Sequence, residues 1–421
     1  MGDKKYLGAG GAALMSVIVL ALVMAPAAEA ASKYKVLHAF YGSDGYQPYA
    51  GLIFDAAGNL YGTTLEGGTG CQIGCGTVFK LSPDADGRWT ESVLHRFNGN
   101  DGSIPVAGLI FDATGNLYGT TYAGGANSQG TVFKLTANAD GSWTESVLHS
   151  FNGSDGAYPY AGLIFDAAGS LYGTAYEGGS GTGCSTNGCG TIFKLTPNAD
   201  GRWTESVLHS FNNTDGATPE AGLIFDAAGN LYGTTIYGGF ITCGGGNGCG
   251  VVFKLTPGAD GSWTESVLHS FGRGSDGADP VAGLIFDTAG NLYGTTEGAG
   301  AHGYGAVFKL TPSANGSWTE SVLHSFEGNG GEQPWAGLIF DAAGNLYGTT
   351  YGGGASFAGT VFKLTPNADG RWTESVLHSF EGKPATTPGL GSLVFGSAGA
   401  LYGTTEECSS GCEGVVYQIT P

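Results

Sequence analysis

Residues 107–151 read Ala-Gly-Leu-Ile-Phe-Asp-Ala-Thr-Gly-Asn-Leu-Tyr-Gly-Thr-Thr over 107–121, Gly-Thr-Val-Phe-Lys-Leu-Thr over 130–136 and Trp-Thr-Glu-Ser-Val-Leu-His-Ser-Phe over 143–151. They hold four segments, a (107–112), b (116–121), c (131–136) and d (143–151), each rich in β-branched and aromatic residues and bounded by Gly, Pro, Asn or Asp. The a–b turn, Asp112-Ala-Thr-Gly-Asn116, and the c–d turn, Ala139-Asp-Gly141 before Trp143, are tight hairpin turns in which Gly supplies a positive φ. Asp112 and its repeats Asp55, Asp166, Asp226, Asp287 and Asp341 cap their own turns. The pattern predicts a four-stranded antiparallel sheet.

That unit occurs seven times. Its His falls at His38, His95, His149, His209, His269, His324 and His378, at spacings of 57, 54, 60, 60, 55 and 54 residues. The chain from Ala31 to Pro421 has 391 residues, and 391/7 is about 56, so the repeats fill it and leave no room for a second domain. Tyr34-Lys-Val-Leu-His-Ala-Phe40 is a lone d segment, and Val415-Val-Tyr-Gln-Ile-Thr420 is a c segment with no d after it. Pairing the two completes the seventh sheet and leaves no open edge. The expected fold is therefore all-β, a seven-bladed β-propeller of four-stranded antiparallel blades closed by its own termini. A stacked β-solenoid would show shorter periods and atypical capping repeats.

Composition agrees. Of 421 residues 79 are Gly and 15 are Pro, the aromatic share is 12%, and net charge is −20. Collagen needs more Pro and a strict three-residue period, a long helical protein needs less Gly, and a disordered chain lacks the aromatics. The acidic balance argues against nucleic acid or an anionic membrane as partner.

The recurring A-G-L-I-F-D-x-x-G-N-L-Y-G-T-T, G-T-V-F-K-L-T-P and W-T-E-S-V-L-H-S-F over residues 34–421 resemble the GloVer tandem repeat of exported bacterial choice-of-anchor proteins. The resemblance implies an exported, often surface-held protein of propeller-like fold; it implies no settled activity and supplies no catalytic residues. The chain closes at Pro421 without a recognisable sorting tail, which leaves secretion and surface attachment both open. At the other end, Lys4 and Lys5, the apolar run Leu7–Ala25 and Ala28-Glu29-Ala30 read as a secretory signal peptide over residues 1–30, with a mature domain over 31–421. No second hydrophobic stretch follows, so no membrane span is expected after cleavage.

Between the second Thr of segment b and the Gly before segment c lie 11, 8, 14, 14, 8, 8 and 8 residues. Subtracting the first six values from the spacings leaves 46, 46, 46, 46, 47 and 46, so variation is confined to the b–c and d–a loops. Both emerge at one end of an antiparallel blade, which makes one face fixed and the other diversified, as binding surfaces are. All eight cysteines lie there, as the local pairs Cys71/Cys75, Cys184/Cys189, Cys243/Cys249 and Cys408/Cys412. On an exported chain they read as disulfides stapling their own loops. Zinc is the weaker alternative, because the four blades are not all neighbours and no His lies beside any pair.

The residue before each A-G of segment a (G-S in the seventh repeat), at the expected channel rim, varies: Tyr49, Val106, Tyr160, Glu220, Val281, Trp335 and Leu390. These side chains either plug the channel or, through Tyr49, Tyr160, Trp335 and Glu220, stack on a ligand. Trp89, Glu91, Val93, His95 and Phe97 are expected on one face of segment d, with the repeated His a structural residue bonded to Thr or Glu. His302 is the one His outside the repeat. The N-G-S-D-G motif of the d–a loops and its variants carry Asp44, Asp101, Asp155, Asp215 and Asp276, one carboxylate per motif, fewer than a calcium site usually gathers. The sequence thus predicts a monomeric, non-enzymatic binding module for an extracellular glycan or protein, without cofactor or metal. A lyase or hydrolase would need Glu220, Asp279 and His302 gathered at the channel mouth, and a surface-display protein with no small ligand is the third reading.

Overall fold

In a computed structural model the chain divides into Met1–Ala31 and Ser32–Pro421. The structure describes residues 1–2 and 32–421, except 70, 72–73, 185–186, 241–242, 244–245, 273, 382–385 and 408–410. The expected signal peptide and Cys408 lie outside the described residues.

Ser32–Pro421 is a seven-bladed β-propeller. Each of the first six blades has the strand order a-b-c-d, as in Ile110–Phe111, Leu117–Thr121, Thr131–Ala137 and Trp143–Ser150. The seventh is built from both termini. Lys33–Ala39 lies antiparallel to Val415–Thr420, with Lys33 opposite Thr420 and Ala39 opposite Val415. A further short strand, Thr386–Pro388, pairs with the long b strand Leu401–Glu407 of that blade.

Two local expectations need correction. Strand a is only two residues long, because Ala-Gly-Leu leaves the ladder and runs along the channel wall. The five d residues do not share one face. A bulge opposes Val132 and Phe133 with His149 and Val147, leaving Leu148 as the extra residue. The bulge inverts the alternation. Val147, Val207, Val267 and Val376 consequently face solvent, while Leu148, Leu208 and Leu268 pack on the core.

The core lies between blades. Each of seven clusters joins two neighbours, as where Tyr118, Val132 and Phe151 of blade two meet Leu163, Leu171, Phe193 and Leu195 of blade three. The cluster of Phe40, Tyr402 and Val416 with Leu52, Leu60 and Phe79 bridges blade seven to blade one. Burial at these seven seams is the main stabilising term. The motifs explain the stitching. The first Thr of Gly-Thr-Thr donates to the Ala carbonyl of the next blade, as Thr63 to Ala107 (3.1 Å) and, across the closure, Thr404 to Ala50 (3.2 Å). The Gly after that Ala runs close to the wall of the preceding blade. A Cβ on Gly162 would lie 3.3 Å from the Gly108 carbonyl oxygen of the preceding blade.

The Asp turn forms as expected. Asp112 Oδ1 accepts the N–H groups of Thr114 and Asn116, and its Oδ2 accepts the Asn116 amide and the Tyr118 hydroxyl. Burial works to raise the carboxyl pKa, but these donors hold it well below the usual range.

Candidate functional site

The d–a and b–c loops are zipped together at one end of the ring. Tyr46 bridges Glu66, Ser103 bridges Ala123 and Ala157 bridges Glu177, and the pattern continues around the circle. The diversified face predicted from loop lengths is therefore one surface. It also displays bare aromatics, with Phe357 78%, Tyr41 67% and Phe240 60% exposed.

At its centre is a cavity of about 400 Å³. Val106, Tyr160, Glu220, Val281, Trp335 and Leu390 all line it, which brings six of the seven rim positions together. The seventh, Tyr49, accepts a long hydrogen bond from the Tyr160 hydroxyl (3.4 Å). Three more tyrosines extend the aromatic wall. Tyr122 stacks on Tyr158 (5.0 Å between centroids) and meets Tyr160 edge-on (5.9 Å), while Tyr160 and Tyr176 lie 6.4 Å apart. Trp335 stacks on Tyr351 at 3.9 Å.

Among the described residues Glu220 is the one charged side chain lining this cavity. Burial, with a contribution from Glu297, pushes its carboxyl up to about 7. Burial also raises Glu297, against which the Trp335 indole and the Gln333 amide pull. Glu406, buried beside Glu407, rises to about 7. His302 is placed elsewhere: it is half exposed and lies 3.3 Å from Glu327. Among the described residues no hydrogen bond or ion pair joins it to Glu220.

Two features of the mouth escaped the sequence reading. The first is backbone strain. Gln47, Ile104, Tyr158, Thr218, Asp279, Gln333 and Thr387 all have positive φ, between 23° and 60°. Each precedes a Pro. Non-Gly residues seldom adopt this region, and β-branched ones such as Ile104 and Thr218 pay most. Flanking blades enforce it: the Ile104 N–H donates to the Cys75 carbonyl (3.0 Å), and the Ile104 carbonyl accepts from Tyr122 (2.9 Å). The recurring X-Pro pair just before the rim position was the available signal. The second is the residue after Gly-Thr-Thr (Gly-Thr-Ala in blade three), which places Tyr122, Tyr176, Glu297, Tyr351 and Glu406 at the rim.

Cys71–Cys75, Cys184–Cys189 and Cys243–Cys249 are disulfides. The second Cys of each is buried in an inter-blade cluster, so these bonds tie the loop to the core as well as to itself. The fourth expected pair is Cys408 with Cys412. Its bond is not among the disulfides of the described residues, because Cys408 falls outside them, and only Cys412 is placed. Cys412 is disulfide-bonded and buried. It packs with Tyr347, Val361 and Phe380 of blade six and with Val415 and Tyr417 of blade seven, the seam position its counterparts occupy elsewhere.

In most junctions the repeated His lies beside an Asp rather than the expected Thr or Glu. His Nε2 lies 3.1–3.4 Å from the d–a loop Asp in five junctions: His38–Asp44, His95–Asp101, His149–Asp155, His209–Asp215 and His269–Asp276. In the next junction Gly330 replaces that Asp, and His324 lies 3.4 Å from Glu374. The Trp-Thr-Glu-Ser glutamate of the following blade faces each pair. Donor atoms of His95, Asp101 and Glu145 lie within 4.8 Å of one another, a set that can hold a cation. However, Asp101 already accepts the N–H and the side-chain amide of Asn98, which makes the group a hydrogen-bonded clamp.

An all-β ring with a fixed underside, a diversified top and an aromatic-rimmed axial cavity defines a loop-bearing propeller scaffold. The family described as the Gloeobacter/Verrucomicrobia repeat matches residues 24–244 and 239–421, and the chain belongs to it. A sequence comparison with curated proteins finds no match. Among solved structures, the extracellular domain of a putative hybrid two component system from B. thetaiotaomicron aligns at TM-score 0.53 and 12% identity, over 92% of this chain and 41% of that one. A fungal alcohol oxidase of the AA5 family aligns at 0.53 and 14%, over 92% and 76%. An ancestral GH74 enzyme aligns at 0.52 and 12%, over 89% and 51%. The chain thus spans about half or less of the first and third, and at these identities the likeness is one of fold.

Proposed function

We propose that the protein is an exported, monomeric binding module that takes an extracellular glycan or protein on its diversified face, centred on the channel mouth. One observation carries the reading. The positions that vary between otherwise near-identical blades converge on one cavity, and the backbone holding them is strained in every blade. Strain repeated at variable positions is the mark of a surface kept for recognition. Exposed aromatic side chains on the same face support it, since a solvated Phe357 gains nothing for the fold. The disulfides and the resemblance to exported proteins support secretion or display at the cell surface.

The purified protein should capture ligands on a glycan array or in a pull-down from extracellular material. Trp335→Ala and Phe357→Ala should each reduce capture without changing thermal stability. Capture unaffected by both variants would remove the mouth from the reading. An empty array with an empty pull-down would favour a display protein without a small ligand.

A further inference from the structure

We infer that the channel mouth seats an organic ammonium ion, the amino group of an amino sugar or of an alkyl polyamine, against the Glu220 carboxylate within its tyrosine surround. The inference rests on the binding reading above and names its ligand chemistry.

Glu220 is the starting point. It alone among the described residues brings formal charge into a cavity otherwise walled by Ala, Gly, Leu, Ile and Val with Tyr160, Trp335 and Ser392. Among the described residues it has neither a hydrogen bond nor an ion pair. Glu220 is half-buried and its carboxyl lines the cavity, so the burial that disfavours its charged form would be offset by a cation seated beside it. None of the described residues supplies that cation. The b–c and d–a loops of this face contain sixteen acids, ten in d–a and six in b–c, against Arg273 and Lys383. Lys80, Lys134, Lys194, Lys254, Lys309 and Lys363 sit on c strands, each over a blade Tyr at 5.1–5.9 Å.

The aromatic surround points the same way. Tyr49, Tyr122, Tyr160, Tyr176 and Tyr237 all lie close enough to Glu220 for its charge to help raise their phenol pKa, after burial, so they stay neutral. Neutral aromatic faces around a carboxylate attract an ammonium ion through both ring quadrupole and charge. An anionic ligand would meet repulsion, and a neutral one would leave the carboxylate uncompensated. The volume suits one sugar ring or a short alkyl chain.

The test is calorimetric titration of the protein with fully deacetylated chitotriose, with N-acetylated chitotriose of the same backbone, and with spermidine. Binding of the deacetylated sugar or of spermidine, lost by about tenfold or more in Glu220→Gln with melting temperature retained, is the expected result. Which of the two binds identifies the source of the amine. Binding of spermidine should tighten between pH 5.5 and 8 as Glu220 ionises, with Glu297 facing it and Glu406, which shares Tyr49 and Tyr160 with it, ionising in the same range. If both chitotrioses bind equally and Glu220→Gln changes neither, the ammonium inference is overturned while the binding reading stands. If no amine binds, the inference is overturned, and the array and pull-down decide the wider reading separately.

Discussion

Glu145 shows how much chemistry a repeated residue can hold. It faces Asp101 across the junction of blades one and two, and burial followed by the Asp101 charge raises its carboxyl pKa to about 7. A carboxyl that keeps its proton longer when folded stabilises at low pH, and that stability is lost as pH rises from its ordinary range near 4.5 through 7. His95 has the opposite sign. Burial pushes its pKa below 6.5, with Asp101 pulling back, so its contribution is lost as pH falls below 6.5. Replacing the acid by its neutral isostere separates the two. Glu145→Gln should match the parent near pH 4.5 and exceed it at pH 8 by about 1 kcal/mol, a figure reduced for water reaching a half-exposed side chain. Melting curves across that range check it, and an equal offset at both pH values would refute the assignment. The residue scale was also the least legible in sequence. That His recurs in every blade showed it to be structural. Its Asp partner lies six or seven positions on, in a variable loop, and only the fold shows that the two meet.

At the scale of the element, loop length was readable and loop wiring was not. Counting residues between Gly-Thr-Thr and the next Gly located the diversified face, because insertions in an antiparallel blade can only emerge at its ends. The count could not show that each Cys-bearing loop supports the neighbouring blade. Cys75, Cys189 and Cys249 offer their backbone carbonyls to the N–H groups of Ile104, Thr218 and Asp279 (3.0, 2.8 and 2.9 Å), the left-handed residues of the next mouth segment. A disulfide therefore fixes an acceptor that holds strained backbone in place. A loop of four to six residues gives only modest chain-entropy stabilisation, so positioning is its larger effect. Cys184→Ser with Cys189→Ser should leave the global melting temperature within a few degrees yet speed amide exchange at Thr218 about tenfold. Amide exchange followed by NMR measures it, and unchanged protection at Thr218 would separate the disulfide from the mouth.

The whole molecule was the most legible scale, since a d segment without its blade at one end and a blade without its d segment at the other leave one simple closure. The structure adds that the seam is locked twice. On the outside, Lys33–Ala39 completes blade seven beside Val415–Thr420. On the channel wall, Gly391 donates its N–H to the Tyr49 carbonyl (3.0 Å), and Thr404 bonds Ala50. Leu390 reads from sequence as a rim residue; the flanking Gly389 and Gly391, where blade seven touches blade one, carry no such sequence signal. A Cβ on Gly391 would meet the Gly51 backbone nitrogen, where no flexible side chain can yield. Gly391→Ala should therefore cost about 3 kcal/mol, whereas Gly272→Ala, whose Cβ would meet nothing within 4 Å, should be close to neutral. The loss should be local in origin. Because the other six seams have their own buried clusters, Gly391→Ala should first speed amide exchange in Lys33–Ala39 and only then lower protection in the remaining blades. Uniform loss of protection around the ring would mean that the seven seams open together and that closure is not the weakest joint.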